Sequence, residues 1–154
     1  MYRKYQGLLF IVVLMMFCMA FYLQYKHNLT PCPLCMVQRF FGLLFAVACV
    51  IGWFSRSNKV TLAQLIFSLA GLFFAGRQLW LQSLPLDQVP ACLPGFDVLL
   101  RYFPWRDVFL ALFWGSGECA EVSFLFLGLS IPAWSALSFL MLFLGSAFLR
   151  HKSR

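Results

Sequence analysis

The chain has 154 residues, 62% of them hydrophobic and 11% charged, whereas soluble domains carry about a quarter charged residues. That much apolar surface exceeds what one small core can hide, so the sequence belongs in a bilayer. The formal charge of +7 does not point to nucleic acid, because the basic residues flank apolar runs and do not cluster on a hydrophilic surface.

The first uncharged run, Tyr5 to Tyr25, is long enough for a helix to cross the hydrocarbon core. No small-x-small cleavage pattern follows it, and Phe17 stands where a lipidated Cys18 would need a small residue, so it reads as a retained span. The second span, about 36–55, is adequate if Arg39 snorkels from the first turn of a helix starting near Met36. The third is about 60–76. The last apolar run exceeds one crossing, and Pro132 marks a first-turn start, which sets the fourth span at about 131–149.

Orientation follows from the basic flanks. Arg3, Lys4, Arg56, Lys59, Arg150, Lys152 and Arg154 share one face, which is then cytoplasmic. The outer loops are about 26–35 and 77–130, and the second holds all five acids: Asp87, Asp97, Asp107, Glu118 and Glu121. Within it, Phe96 to Phe113 interleaves apolar and charged residues and is interrupted at Pro104, the pattern of a short interfacial amphipathic segment. The expected fold is a single all-α membrane domain, a four-transmembrane-helix bundle with two extracytoplasmic loops.

This topology puts Cys18 and Cys49 within the bilayer, as inert small hydrophobes, and the other four of the six cysteines outside. Cys32 and Cys35 form a Pro31-Cys32-Pro33-Leu34-Cys35 motif opening the second span, so the second sulfur lies near a helix N-terminus, where the dipole favours the thiolate. Arg39, four residues on, would share a helical face with Cys35 and favour it further. The pair is compatible with redox exchange or with a structural disulfide, and Arg39 with a site cation or an interfacial anchor. Four thiolates could also hold zinc, but Cys92 and Cys119 do not form a second CxxC, so no metal site is assigned. Both loop cysteines have turn-forming, polar flanks, which predicts mobile segments. Glu118 and Glu121 beside Cys119 are expected to disfavour its thiolate.

The CxxC motif with Arg39, the stretch from Gln82-Ser83-Leu84-Pro85 to Pro90-Ala91-Cys92, and Gly117-Glu118-Cys119-Ala120-Glu121 resemble the DsbB family in order and spacing over nearly the whole chain. The resemblance implies a quinone-dependent protein-dithiol oxidoreductase of the bacterial inner membrane, with both termini cytoplasmic and the redox cysteines periplasmic. It implies that Cys92 and Cys119 form the disulfide presented to a periplasmic thioredoxin-like partner of the DsbA type, Cys92 being the sulfur attacked. Cys32 and Cys35 would form the pair beside ubiquinone or menaquinone, with Arg39 at the quinone site. Many members carry a histidine just after the third span, near Ser83 or Gln78; the histidines here are His27 and His151. The vitamin K epoxide reductase type carries its membrane CxxC after its loop cysteines, whereas here it comes first. A disulfide-stapled membrane scaffold without catalysis is the other alternative, and it would reduce no quinone.

Overall fold

The computed structural model describes residues 2–28, 31–85, 88–92, 96–122 and 124–153. Four long helices dominate it: α1 (Tyr2–His27), α2 (Pro33–Phe54), α3 (Asn58–Gln82) and α6 (Ile131–Ser153), each with a stretch long and apolar enough to cross a membrane. Between α3 and α6 lie two short helices, α4 (Phe96–Tyr102) and α5 (Trp105–Trp114), then a single 3-10 turn at Gly117–Cys119 and a two-stranded hairpin, β1 (Leu125–Phe126) and β2 (Leu129–Ser130).

Local chemistry sets the helix ends. Pro33 occupies the first helical position of α2, where its missing N–H costs nothing, and Cys32 is the extended N-cap at φ −70°, ψ 163°. Ser57 caps α3 by accepting the Lys59 N–H at 3.3 Å. Pro104 ends one external helix and caps the next, at the break read from the sequence. The apolar run of the third span stops at Gly76, yet α3 continues to Gln82, because the Arg77 guanidinium lies over Trp80 at 4.2 Å and Trp114 at 5.2 Å and is shielded by their rings. The hairpin was not anticipated. Leu127 and Gly128 turn it at φ 51° and 80°, and the Trp134 indole N–H donates to the Phe126 carbonyl at 3.0 Å, fastening it to α6.

The bundle is polar inside and greasy outside. Gln6, Gln38, Thr61, Gln64, Ser68, Gln78 and Ser146 are buried, while Leu8, Met15, Phe73 and Leu144 face outward. A soluble core would invert this; in lipid the outer face needs no hiding and the polar groups must find partners within the bundle. The chain is therefore an all-α, four-helix, multi-pass membrane protein, as composition and hydropathy indicate.

α3 packs most extensively on α6 and α2. One end of the bundle is filled by Leu9, Val13, Phe45, Cys49, Phe139, Leu142 and Leu149, the other by Cys32, Leu34, Phe74, Leu81 and Cys119. The α3 and α6 backbones approach closely at Gly71, where any Cβ would collide with the fully buried Phe139 ring. Overpacking of this kind costs about 1–3 kcal/mol. Gly71→Leu is therefore expected to lower the thermal midpoint in detergent, and Phe139→Ala in the same chain to recover part of the loss; a G71L midpoint equal to wild type would refute this packing.

Candidate functional site

The site is assembled at the end of the bundle away from the termini, from the N-terminus of α2, the last turns of α3, the 3-10 turn and, behind them, α6. Cys32 and Cys35 lie a helical turn apart, with Sγ atoms 3.1 Å from each other. The 3-10 turn brings in Cys119, which is 0% exposed and packed with Cys32 and Leu34. All six cysteines are free thiols.

Gln78, near the end of α3, spans the dithiol. Its Nε2 lies 3.3 Å from Cys32 Sγ and 3.4 Å from Cys35 Sγ, and the Cys35 thiol approaches its Oε1 at 3.6 Å. Gln38 of α2 donates to the same Oε1 at 2.9 Å, and the Ser135 hydroxyl of α6 donates to Gln38 Oε1 at 2.7 Å. A continuous chain of donors thus runs from α6 through α2 and α3 to the sulfurs. Sequence reasoning did not select Gln38 or Ser135 and considered Gln78 only as a place where a histidine is missing. The available signal was an amide inside an apolar run, since buried amides in a membrane helix need a partner.

The electrostatics single out Cys119. Its thiol is lowered from 9.0 to about 6, first by the hydrogen bond with Cys32, then by the backbone amides of Leu34 and Ser116 and the Ser116 hydroxyl, against the opposing cost of burial. The Cys32 thiol is pushed up, chiefly as partner to Cys119 and next to Cys35, so it holds its proton while Cys119 carries charge. Two expectations are corrected here. Glu118 and Glu121 do not govern Cys119, because backbone donors in direct contact outweigh carboxylates around it; and Cys119 is enclosed, not on a mobile segment, because the turn packs onto α2 and α3. The Leu34 amide, one of the unpaired donors at the α2 N-terminus, points to Cys119, so that helix end acts on the loop sulfur.

Arg39 also departs from expectation. It follows Cys35 by one turn, but its guanidinium turns to α1, donating to Gln24 Oε1 at 2.6 Å and lying 5.1 Å from the Phe21 ring centroid. An α-helical neighbour at i+4 can reach the same face; here an amide acceptor and an aromatic face on α1 hold the cation. Cys92 is exposed, beside the turn that carries Cys119: the Gly117 N–H donates to the Ala91 carbonyl at 3.2 Å, and a Cβ on Gly117 would fall 2.9 Å from Cys92 Sγ. Cys18 lies exposed along α1, and Cys49 is buried at the opposite end, accepting from Gln64 at 3.4 Å. Neither takes part in the site.

Three sulfurs in contact, a fourth beside them and a membrane bundle around them describe a thiol-exchange centre. A model of the family "Disulfide bond formation protein DsbB" matches residues 2–149. The chain belongs to the DsbB family. It is 47% identical over 141 residues to disulfide bond formation protein B of Marinobacter nauticus, covering 88% of this chain and 84% of the relative. It is 45% identical to that of Hahella chejuensis, covering 90% and 87%, and 39% identical to disulfide bond formation protein B 1 of Pseudomonas aeruginosa, covering 78% and 77%. No solved structure matches. As a DsbB-family chain it is a membrane disulfide-forming oxidoreductase, and the free thiols described above are the groups through which such chemistry runs.

Because the folded pKa of Cys119 lies below the ordinary 9.0, its thiolate is favoured above about pH 6 and lost as pH falls through that value. Iodoacetamide labelling of the reduced protein, mapped by mass spectrometry, should show Cys119 half-maximal near pH 6 and shifted upward in Ser116→Ala. A Cys119 midpoint near 9.0 in wild type would contradict the assignment.

Proposed function

We propose that this protein re-oxidises a periplasmic thioredoxin-like dithiol protein of the DsbA type and passes the electrons to a membrane quinone, ubiquinone or menaquinone, from the bacterial inner membrane with both termini cytoplasmic. The observation that carries the reading is the contact of Cys119 with Cys32 beneath Gln78, which links a loop cysteine to the membrane CxxC without helix movement.

In the working cycle Cys92 and Cys119 begin as one disulfide and Cys32 and Cys35 as another. A partner thiolate attacks Cys92, forming a mixed disulfide and releasing Cys119 as a thiolate. Cys119 attacks Cys32, a bond forms between them, and Cys35 leaves with the electron pair. The partner's second thiol then resolves the mixed disulfide, the partner departs oxidised, and Cys92 attacks Cys119 to restore their bond and free Cys32. The net result is two electrons and two protons moved from the partner dithiol to Cys32 and Cys35. The low pKa of Cys119 makes it a good leaving group in the first exchange, and the protonated Cys32 beside it marks the direction in which the next one runs.

A quinone, when bound, takes up those two electrons and two protons and so restores the Cys32 and Cys35 disulfide. The residues fit such a group: Cys35 is half-buried at the bundle edge, and Arg39, stacked on Phe21 and held by Gln24, offers a cation and an aromatic wall one turn away. Arg39 would hold the ring oxygens and stabilise negative charge there. Gln78 would keep an N–H on whichever sulfur is charged.

Purified protein mixed with a reduced DsbA-type protein and a quinone should bleach the quinone absorbance, and a chain that reduces none would be a scaffold instead. Gln78→Leu should slow this by about tenfold, the loss expected for one hydrogen bond to a charged group; an unchanged rate would remove Gln78 from the mechanism. With a partner lacking its resolving cysteine and activated as a mixed disulfide, non-reducing gels should show an adduct with Cys119→Ser but none with Cys92→Ser. The opposite pattern would reverse the two roles.

A further inference from the structure

At the end of the bundle that holds both termini, a cavity of about 420 Å³ opens between α1, α3 and α6. Arg56 and Lys152 stand on its wall, Tyr2, Ser57 and Thr61 supply hydroxyls, and Leu149 closes it toward the core. The Lys152 ammonium also lies 5.9 Å from the ring centroid of Tyr5, which keeps its charge at this rim. No acid is near in the sequence, since all five carboxylates of the chain lie between Asp87 and Glu121 in the segment at the other end.

The hydrogen bonds behind the cavity fix its polarity. Gln6, 0% exposed, is paired with Gln64 through bonds of 2.7 and 3.3 Å, and its Nε2 also lies 3.1 Å from the Tyr2 hydroxyl oxygen as donor. The Tyr2 oxygen thereby accepts, and its own proton is available to Thr61, 3.4 Å away, or to a guest. The Ser57 oxygen accepts the Lys59 N–H, which likewise leaves its proton free to donate. The N-terminus of α3, a helix of 25 residues, opens beside these groups with its positive dipole end. Cations, hydroxyl protons and a helix N-terminus converge, and no charged acceptor faces them.

We propose that this cavity binds a phosphate group, that of a phosphodiester headgroup of an anionic membrane lipid, which bridges α1, α3 and α6 at the surface of the bilayer. Basic pockets between transmembrane helices bind such headgroups, and each surface cation contributes about fivefold in affinity. Arg3 and Lys4 lie at the same end but do not line the cavity, so they separate a built site from diffuse surface charge.

The test is native mass spectrometry of the full-length protein released from detergent micelles doped with phosphatidylglycerol or phosphatidylcholine. Wild type should keep one phosphatidylglycerol and retain it in clear preference to phosphatidylcholine. Arg56→Gln and Lys152→Gln should each lower retention by about fivefold, while Arg3→Gln with Lys4→Gln leaves it close to wild type. Equal retention of the two lipids, or equal losses from both sets of substitutions, would overturn the proposal. A parallel arm adds inorganic phosphate: failure to displace the lipid fits the headgroup assignment, and displacement at low millimolar concentration would assign the site to free phosphate and overturn the lipid. Because quinone reduction is not the readout, the result stands apart from the proposed redox cycle.

Discussion

Hydrocarbon offers no hydrogen-bond partner, so an amide placed within a membrane helix must find another polar group inside the bundle. Four glutamines meet this demand in two pairs, Gln6 with Gln64 and Gln38 with Gln78, at opposite ends of α3. Each pair ties α3 to a different neighbour, α1 at one end and α2 at the other. Sliding α3 by a turn would strand both pairs at once, and the cost of an unsatisfied buried amide is at least about 1–3 kcal/mol. The register of α3 is therefore set by its polar residues, with Gly71 against Phe139 setting its distance from α6.

The sulfur site depends on that register. Gln78 reaches Cys32 and Cys35 only because the Gln38 bond holds its amide with Oε1 toward α2 and Nε2 toward the sulfurs. Phe74 of the same helix stacks on Phe41 at 5.7 Å and meets Phe113 of α5 at 5.7 Å, which seats the external helix leading into the Cys119 turn. Ser135 adds α6 to the chain of donors. Four helices and a loop thus converge on one dithiol through directional bonds, and apolar packing fills the space around them.

The spans and their order were legible because hydropathy and length act on each segment alone, and Pro33, Pro104 and Pro132 mark helix starts by a local rule. The sulfur that meets Cys32 was not. Nothing between Cys119 and Cys32 in the chain states that a 3-10 turn will seat one against the other, and the adjacent Glu118 and Glu121 pointed toward the wrong electrostatics. The decisive donors, the Leu34 and Ser116 amides, are backbone groups, and backbone groups carry no side-chain signature. Arg39 shows the converse error: helical spacing correctly put it one turn from Cys35, but Gln24 and Phe21 on another helix decided where its charge went.

The contrast in access between two neighbouring sulfurs has a kinetic meaning. Cys92 is exposed, whereas Cys119, on the turn beside it, is fully enclosed by Cys32, Leu34 and Ala120. A small thiol in the surrounding fluid meets Cys92 and is shut out from the sulfur behind it. The inner thiols behave like the insulated core of a cable, with one bare terminal. Leakage to adventitious reductants is then governed by a single exposed atom, and selectivity for a protein partner can be built on the surface around that atom without altering the buried conductor.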